Sequence, residues 1–172
     1  MCRLAVVLTW LIGVCVAPAA LAQSLGYPDF ALQAPPVNTS PGPEYASRTR
    51  VFQGIPGIER TAKGRLWAVW IAGGTGEGPW NYVVLVTSGD DGKTWSEPKV
   101  VIDPPGNVLA LVPGLWLDPE GRLWLFWEQG YGRDDGRGGV WAIVSENPDS
   151  GTPTGRRRGD WPMEWQSKNQ LS

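Results

Sequence analysis

The chain has 172 residues and a formal net charge of −2, which suits one ordinary domain with no basic surface stripe. Nucleic acid is therefore not an expected partner. Histidine is absent, which excludes histidine acid–base chemistry, Ser-His triads and the commonest zinc ligand. Both cysteines, Cys2 and Cys15, lie close to the start of the chain. We predict neither a metal site nor a cofactor.

Residues 1–22 have the pattern of a secretory signal peptide. Arg3 precedes an apolar run from Leu4 to Val16, and Ala20-Leu21-Ala22 forms a small-residue cleavage site. A transmembrane anchor is the alternative, but the apolar run is short for one. The pattern predicts a secreted or periplasmic protein with no stable membrane anchor after cleavage. Cleavage removes both cysteines, so the mature chain is expected to have no disulfide and no cysteine nucleophile.

Two segments outside the signal lack any strand period. Residues 23–50 begin with a stretch rich in Pro, Ser, Gly and Ala, which predicts a linker. Residues 155–172 carry the cluster Arg156-Arg157-Arg158 and predict an irregular basic tail, either truncated or out of frame with what should follow. The patterned part of the chain is therefore residues 51–154.

An internal repeat organises this patterned part. The segment Gly64–Trp70 recurs as Gly121–Trp127, an offset of 57 residues, and Val83–Ser88 recurs as Val140–Ser145 at the same offset. A fixed period of this size predicts propeller blades or another repeat array. The runs are apolar on both faces and rich in tryptophan, which favours an all-β fold of sandwiched strands.

Each repeat is predicted to hold up to four antiparallel strands. The predicted strands are Ile55–Arg60, Arg65–Ala72, Tyr82–Thr87 and Trp95–Ile102 in the first repeat, and Leu109–Leu117, Arg122–Glu128 and Gly139–Ser145 in the second. Antiparallel order places the connections 73–81, 103–108 and 130–138 on one side and the remaining turns on the other. Repeat proteins usually bind ligands through the longer loops of one side, so we expect a site among these connections.

Residues 88–95 predict a stapled hairpin between two strands. Asp91-Gly92 is a strong signal for a tight turn, because glycine supplies positive φ without steric cost. Asp90 is placed to accept backbone N–H bonds within the turn, and the Trp95 ring can fold back over it. The pattern S-x-D-x-G-x-T-W has all five of its fixed positions here: Ser88, Asp90, Gly92, Thr94 and Trp95.

That pattern is the Asp-box, and residues 51–154 resemble the sialidase (neuraminidase) superfamily of Asp-box β-propellers. A degenerate second Asp-box has Ser145, Asp149, Gly151 and Thr154. The resemblance implies a six-bladed propeller, of which this sequence holds about two blades, and we expect it to be a fragment of a longer chain. The Asp-box itself is expected to stabilise the fold and not to act in catalysis.

The resemblance implies a glycoside hydrolase that acts on terminal sugars, with a glycan or small sugar as its substrate. The family's general acid lies in the loop between the second and third strands, where Glu77 is the only carboxylate and Trp80 could supply an apolar wall. Where the family has a carboxylate-clamping arginine this chain has Gln53-Gly54, which argues against sialic acid as the sugar. The further substrate-binding candidates are Gln53, Trp80, Asn81, Arg133, Asp134, Asp135 and Arg137.

Two other functions fit the same residues. A non-catalytic carbohydrate-binding or adhesion propeller would use the same loops without a poised acid. A polysaccharide lyase or endo-acting hydrolase on a similar scaffold is the third reading. A solvated loop is the alternative for Glu77 and for the charged residues between Tyr131 and Arg137.

Overall fold

The structure is a computed structural model, and it describes residues 29–132 and 136–151. These residues form eight β-strands in two antiparallel sheets, joined by turns and short 3₁₀ helices. The prediction of an all-β fold is confirmed. The predicted signal peptide, the predicted tail and the candidates Arg133, Asp134 and Asp135 lie outside the described residues.

The first sheet has five strands in the order β1-β5-β4-β3-β2, and the second has three in the order β6-β7-β8. The strands of the first sheet are β1 (Val37–Asn38), β2 (Phe52–Arg60), β3 (Leu66–Gly73), β4 (Asn81–Ser88) and β5 (Val100–Ile102). Those of the second sheet are β6 (Leu109–Leu117), β7 (Leu123–Gly130) and β8 (Gly138–Ser145).

The fourth strand of the first sheet is shorter than the sequence predicts. Its pattern predicts Trp95–Ile102, but the regular strand β5 begins only at Val100. Pro98 has no N–H to donate, so a regular ladder cannot pass through it. Two isolated backbone bonds continue the pairing instead, from the N–H groups of Ser96 (to Thr87, 2.9 Å) and Lys99 (to Leu85, 2.8 Å).

Residues 29–50, which composition assigns to a linker, lie against the two sheets. Val37 pairs with Ile102, so β1 adds a short edge strand to the first sheet. The Tyr45 ring meets the Tyr82 ring edge-on at 5.0 Å between centroids, and the Tyr45 hydroxyl donates to Asp103 at 2.8 Å. This part of the segment is therefore folded, because its polar backbone and aromatic side chains find partners in the sheet.

The 57-residue repeat is also a repeat of backbone geometry. The β2–β3 ladder shifts register between Gly54 and Gly57, and the β6–β7 ladder shifts between Leu111 and Gly114. Inside the two bulges Ile55 and Val112 have positive φ, at 52° and 46°. A β-branched residue rarely adopts that conformation, so its occurrence at equivalent positions marks a shared, strained bulge. The two sheets are two copies of one structural unit.

The main core lies between the two sheets. One face of the first sheet and one face of the second contribute its fully buried side chains. Trp67 and Trp127 are the largest of them, and both are 0% exposed. The remaining members are Val69, Ile71, Val83, Leu85, Val100, Ile102, Ala110, Leu123, Leu125 and Ile143.

The strands β2 and β6 run in the same direction across this core. A side-chain carbon at Gly57 would lie 3.9 Å from the Pro113 carbonyl oxygen, and Glu59 accepts the Leu117 N–H at 3.3 Å. The connections 74–80, 103–108 and 131–137 therefore share one end of both sheets, which we call the loop end. The turns 61–65, 89–99, 118–122 and 146–151 share the other, which we call the turn end.

At the turn end, residues 148–151 cross over the first sheet. The indole N–H of Trp67 donates to the Pro148 carbonyl at 2.9 Å, and the Arg65 Nε–H donates to the Asp149 carbonyl at 2.9 Å. The Thr61 hydroxyl donates to the Asp149 carboxylate. Gly151 has φ 66°, and a side-chain carbon there would overlap the Arg65 guanidinium. This strap ties the end of the second sheet to the first.

Candidate functional site

The Asp-box hairpin at the turn end has the predicted geometry. Asp91 and Gly92 both have positive φ, at 62° and 81°, as a tight primed turn requires. The Ser88 hydroxyl accepts the Gly92 N–H at 2.9 Å and donates to Asp90 Oδ1 at 2.8 Å. The Trp95 ring lies close to Gly92, where an added side-chain carbon would be 3.8 Å from it.

Asp90 closes the hairpin on its outgoing side. Its carboxylate accepts the Thr94 hydroxyl at 2.6 Å and the Thr94 N–H at 2.9 Å. These bonds, followed by the one from Ser88, lower the pKa of Asp90 to about 2. A carboxyl with this pKa is ionised at any working pH and cannot serve as a general acid. All of its hydrogen bonds are local to the hairpin, which agrees with a role in stability.

We expect Asp90→Ala to lower the thermal unfolding midpoint and to leave ligand binding unchanged. The substitution removes the acceptor of two Thr94 donors and one Ser88 donor, and the loop end lies at the opposite side of the sheets. Thermal melting and ligand titration check this. Asp91→Asn is the control, because Asp91 makes only an exposed ion pair with Arg60, and such pairs contribute little. Equal effects of the two substitutions would contradict the assignment.

The degenerate second Asp-box does not close on itself in the described residues. Asp149 accepts from Thr61 of the first sheet and not from its own turn, and the buried Ser145 Oγ has no hydrogen-bond partner there. Gly151 keeps the positive φ that the pattern needs. Thr154 lies outside the described residues. This turn has more residues than a standard Asp-box, and the extra residues place Asp149 against the first sheet.

Asp118 forms a second carboxylate staple, which the sequence analysis missed. It accepts the N–H groups of Glu120 (3.0 Å) and Arg122 (2.9 Å), the Arg122 Nε–H (2.7 Å) and the Trp124 indole N–H (2.9 Å). Burial opposes its ionisation, but these bonds together lower the pKa of Asp118 to about 2. Thr61 holds the equivalent place in the first repeat and accepts the Arg65 N–H at 3.0 Å. Alignment of the two repeats, which places Asp118 at the position of Thr61, was the signal that could have identified it.

The two staples predict an acid-sensitive fold. Asp90 and Asp118 both have a pKa of about 2, below the roughly 3.9 of an unfolded aspartate. Between about pH 4 and pH 2 the unfolded chain therefore binds more protons, and the free energy of unfolding falls as the pH falls. Urea unfolding at a series of pH values measures this slope. The double variant Asp90→Asn, Asp118→Asn should be less stable at neutral pH and should lose part of the slope.

At the loop end, the connection 74–80 presents Glu77 and Trp80 to solvent. Trp80 is 67% exposed, and Glu77, three residues earlier in the same connection, is also exposed. Asn81 is buried instead, with its Oδ1 accepting the Gly78 N–H at 2.6 Å and its Nδ2 donating to Ala72 at 3.4 Å. Asn81 therefore shapes the loop that carries the other two candidates. Glu77 is therefore exposed to solvent, where the sequence analysis expected an apolar wall from Trp80.

Gln53 lies at the start of β2 next to an arginine that the sequence analysis did not select. Its Oε1 accepts from Arg50 Nη1 at 3.1 Å and from the Trp70 indole N–H at 2.9 Å. The Arg50 guanidinium stacks over the Trp70 ring at 5.4 Å from its centroid. Arg50 and Trp70, together with Val86 and Trp95, line a cavity of about 430 Å³ on one face of the first sheet. Through its two hydrogen bonds, Gln53 thus positions Arg50 and Trp70 at the edge of this cavity.

Arg137 belongs to the loop end of the second sheet. Its Nη1 lies 3.5 Å from the Asp29 carboxylate, and its guanidinium lies 4.5 Å from the centroid of the Tyr131 ring. Burial, followed by a hydrogen bond and the charge of Asp29, raises the pKa of the Tyr131 hydroxyl. The Arg137 side chain is 55% exposed. Asp29 lies in the predicted linker, and no sequence pattern marked it.

Asp103, in the connection 103–108, is a partly buried carboxyl at the same end. Burial raises its pKa, although the hydrogen bond from Tyr45 opposes that shift. The pKa of Tyr45 is raised in turn, by burial and then by its bond to Asp103. A partly buried carboxyl with a raised pKa at the loop end is a candidate functional group that the sequence analysis did not select. In the sequence it is only an acidic residue between an apolar strand and two prolines.

The described residues hold no group of three side chains suited to a metal ion. They also contain no helix long and apolar enough to cross a membrane. A comparison with protein-family models found no match, and a comparison with curated proteins found none either. The chemistry of the chain therefore has to be argued from its own residues.

Proposed function

We propose that the two sheets are consecutive blades of a sialidase-like β-propeller. Two observations support this: the sheets repeat one backbone geometry at a 57-residue offset, and the first closes its outer turn with an Asp-box. Propeller blades are four-stranded antiparallel sheets that stack face to face around an axis. The face-to-face core between the two sheets agrees with that arrangement.

We propose further that the chain is a secreted sialidase-like glycoside hydrolase that acts on terminal sugars of glycans, with the loop end as its sugar site. The observation that carries this is that Trp80 and Glu77 are both exposed in the connection 74–80, at the end of the sheets that also holds Arg137. A sugar ring stacks on Trp80, and Glu77 protonates the glycosidic oxygen that leaves. Arg137 contacts an anionic substituent, and Asp103 is the second candidate acid at this end.

A non-catalytic carbohydrate-binding propeller is the second candidate function. The exposure of Glu77 favours it, because a general acid needs surroundings that hold its proton, and solvent does not supply them. Under this proposal Trp80 and Arg137 bind the glycan and no bond is cleaved. The two functions therefore share a binding surface and differ in turnover.

We expect Trp80→Ala to weaken sugar binding by at least about tenfold, which corresponds to roughly 1.4 kcal/mol. The ring loses its stacking partner, and the fold is unchanged because Trp80 is 67% exposed. Isothermal titration with terminal monosaccharides and oligosaccharides measures binding, and released sugar measures hydrolysis. Trp116→Ala is the control, since Trp116 is 49% exposed but lies near the turn end of β6.

The outcomes separate the two functions. Release of sugar supports the hydrolase, and binding without release supports the binding propeller. Equal loss of binding in both tryptophan variants would remove the sugar site from the loop end. If no sugar of the panel is bound and none is released, both proposals are contradicted.

A further inference from the structure

The first sheet packs through both of its faces, but in different ways. The main core uses the face with Trp67, Val69 and Leu85, which we call the Trp67 face. The reverse side, which we call the Ala68 face, is covered in part by residues of the same chain, with Tyr45 packed against it. The buried cluster on this face consists of Ala72, Tyr82, Val84, Val86 and Val101.

The cover on the Ala68 face changes along the strands. At the loop end, the Tyr45 ring packs edge-on against Tyr82, the cross-strand partner of Ala72, and both of these strand residues are buried. Toward the turn end, Ala68 and Trp70 are only partly buried, and they line the cavity of about 430 Å³. The cavity therefore lies beside the buried cluster and not in place of it.

Three segments of the chain build this cavity. Strands β3 and β4, the segment before β2 and the outgoing side of the Asp-box hairpin contribute Ala68, Trp70, Val86, Ser47, Arg50, Trp95, Ser96, Glu97 and Pro98. Ligand cavities in proteins typically have volumes of about 300 to 1,000 Å³, so this one can hold a small molecule. The loop-end candidates Glu77, Trp80, Asp103 and Arg137 do not line it, so it is independent of the proposed sugar site.

Arg50 brings an uncompensated positive charge to this cavity. Its guanidinium lies over the Trp70 ring at 5.4 Å from the centroid, and its Nη1 donates to Gln53 at 3.1 Å. Within the described residues its buried Nε has no hydrogen-bond partner, and Arg50 forms no ion pair. A buried N–H of a charged group that stays unpaired lowers stability, so this guanidinium favours an anionic acceptor. Carboxylates match the fork of a guanidinium through two parallel hydrogen bonds.

The rest of the lining favours a flat apolar body for the ligand. Trp95 is 42% exposed and offers an indole ring for stacking. The polar contributions besides Arg50 come from Ser47, Ser96 and Glu97, and the Ser96 hydroxyl already accepts the Thr87 N–H at 3.1 Å. A sugar acid has hydroxyl groups around its ring, and each needs a partner when it is buried, whereas an aromatic ring needs none. Five of the nine lining residues are apolar: Ala68, Trp70, Val86, Trp95 and Pro98.

We propose that this cavity is a second ligand site, which binds a small aromatic carboxylate. The carboxylate accepts from the Arg50 guanidinium and supplies the negative charge that Arg50 lacks. The ring packs on Ala68 and Val86, between the two tryptophans of the lining. A hydroxyl group on the ring donates to Glu97.

Isothermal titration of the 172-residue chain with para-hydroxybenzoate tests the proposal. We expect one site with a Kd on the order of 0.1 to 1 mM, which suits a ligand of about ten non-hydrogen atoms. para-Hydroxybenzamide keeps the ring and the hydroxyl but has no charge, so it should bind at least about tenfold more weakly. Glucuronate has a carboxylate on a ring covered with hydroxyl groups, and it should also bind at least about tenfold more weakly.

Two substitutions locate the binding. Arg50→Gln removes the charge, and Ala68→Leu fills the cavity with the side chain that Leu125 has at the equivalent position of the second repeat. Each should weaken the binding of para-hydroxybenzoate at least about tenfold. Arg48→Gln is the matched control, because it removes an exposed positive charge two residues away that does not line the cavity, and the affinity should stay within about twofold.

Circular dichroism and thermal melting establish that each variant is folded, and if Arg50→Gln does not fold, Ala68→Leu decides. Absence of binding at concentrations up to about 10 mM would overturn the proposal. Equal affinity for the acid and the amide would also overturn it, since the site would then not recognise the charge. Unchanged affinity in Ala68→Leu would place the binding outside the cavity, and tighter binding of glucuronate than of para-hydroxybenzoate would make the cavity a sugar site.

Discussion

Glu77→Gln should lower the hydrolysis of natural glycosides by roughly 10² to 10⁴-fold, the range that a positioned general acid contributes. The effect should be concentrated on sugars with poor leaving groups, because these need a proton on the departing oxygen. Activated aryl glycosides leave without that proton and should be hydrolysed at close to the original rate. Steady-state kinetics on both substrate classes, for the original protein and the variant, measure the difference.

The amide of glutamine keeps the size of the side chain, so sugar binding should change little. Asp103→Asn is the companion variant, since Asp103 is the other carboxyl at the loop end and its pKa is raised by burial. If Asp103→Asn shows the leaving-group dependence and Glu77→Gln does not, the acid is Asp103. Equal loss on both substrate classes would assign Glu77 to binding, and no loss would make it a solvated loop residue.

Trp67→Ala should reduce the free energy of unfolding by about 3 to 5 kcal/mol, the usual cost of removing a large buried aromatic side chain. Trp67 is 0% exposed at the centre of the core, and its indole N–H is bonded to the Pro148 carbonyl at 2.9 Å. The substitution leaves a cavity between the sheets and an unpaired carbonyl in the strap. Because domains are stable by only about 5 to 15 kcal/mol, the variant should be near its unfolding transition at room temperature.

Urea unfolding followed by circular dichroism gives the measurement. Trp80→Ala is the matched control and should change the stability by no more than about 0.5 kcal/mol, since Trp80 is 67% exposed. A loss below about 1 kcal/mol in Trp67→Ala would mean that the sheets do not pack through this face.

Strands and turns could be predicted from the sequence because their signals are local. Short apolar runs between turn residues marked the seven strands from β2 to β8, and Asp91-Gly92 marked the primed turn that the structure contains. The extent of β5 was overestimated because Pro98 was not weighed against the pattern. The aligned repeat predicted two equivalent units, and the paired bulges agree with it.

Contacts between distant segments could not be predicted in the same way. Asp29 meets Arg137 and Tyr45 meets Asp103 across 108 and 58 residues, and no local pattern marks either pair. Composition assigned Asp29 and Tyr45 to a linker, because residues 23–50 begin with a stretch rich in Pro, Ser, Gly and Ala that shows no strand period. The candidate residues of the loop end were chosen by resemblance and by their place in the longer connections, so Asn81, which is buried within its own loop, stood among them.

The strap at residues 148–151 has a consequence for the order in which the protein folds. Its hydrogen bond to Trp67 spans 81 residues, so the first sheet can pair its strands as soon as Ile102 is available, before the Pro148 carbonyl that accepts the Trp67 indole N–H has been synthesised. At a synthesis rate of roughly 5 to 20 residues per second, that acceptor follows several seconds later. During this interval the Trp67 face is an open apolar surface. During expression, the species most exposed to aggregation is therefore the first sheet before the second sheet has been synthesised. A chaperone that holds this sheet and releases it slowly should improve the yield more than substitutions in the core of the folded protein.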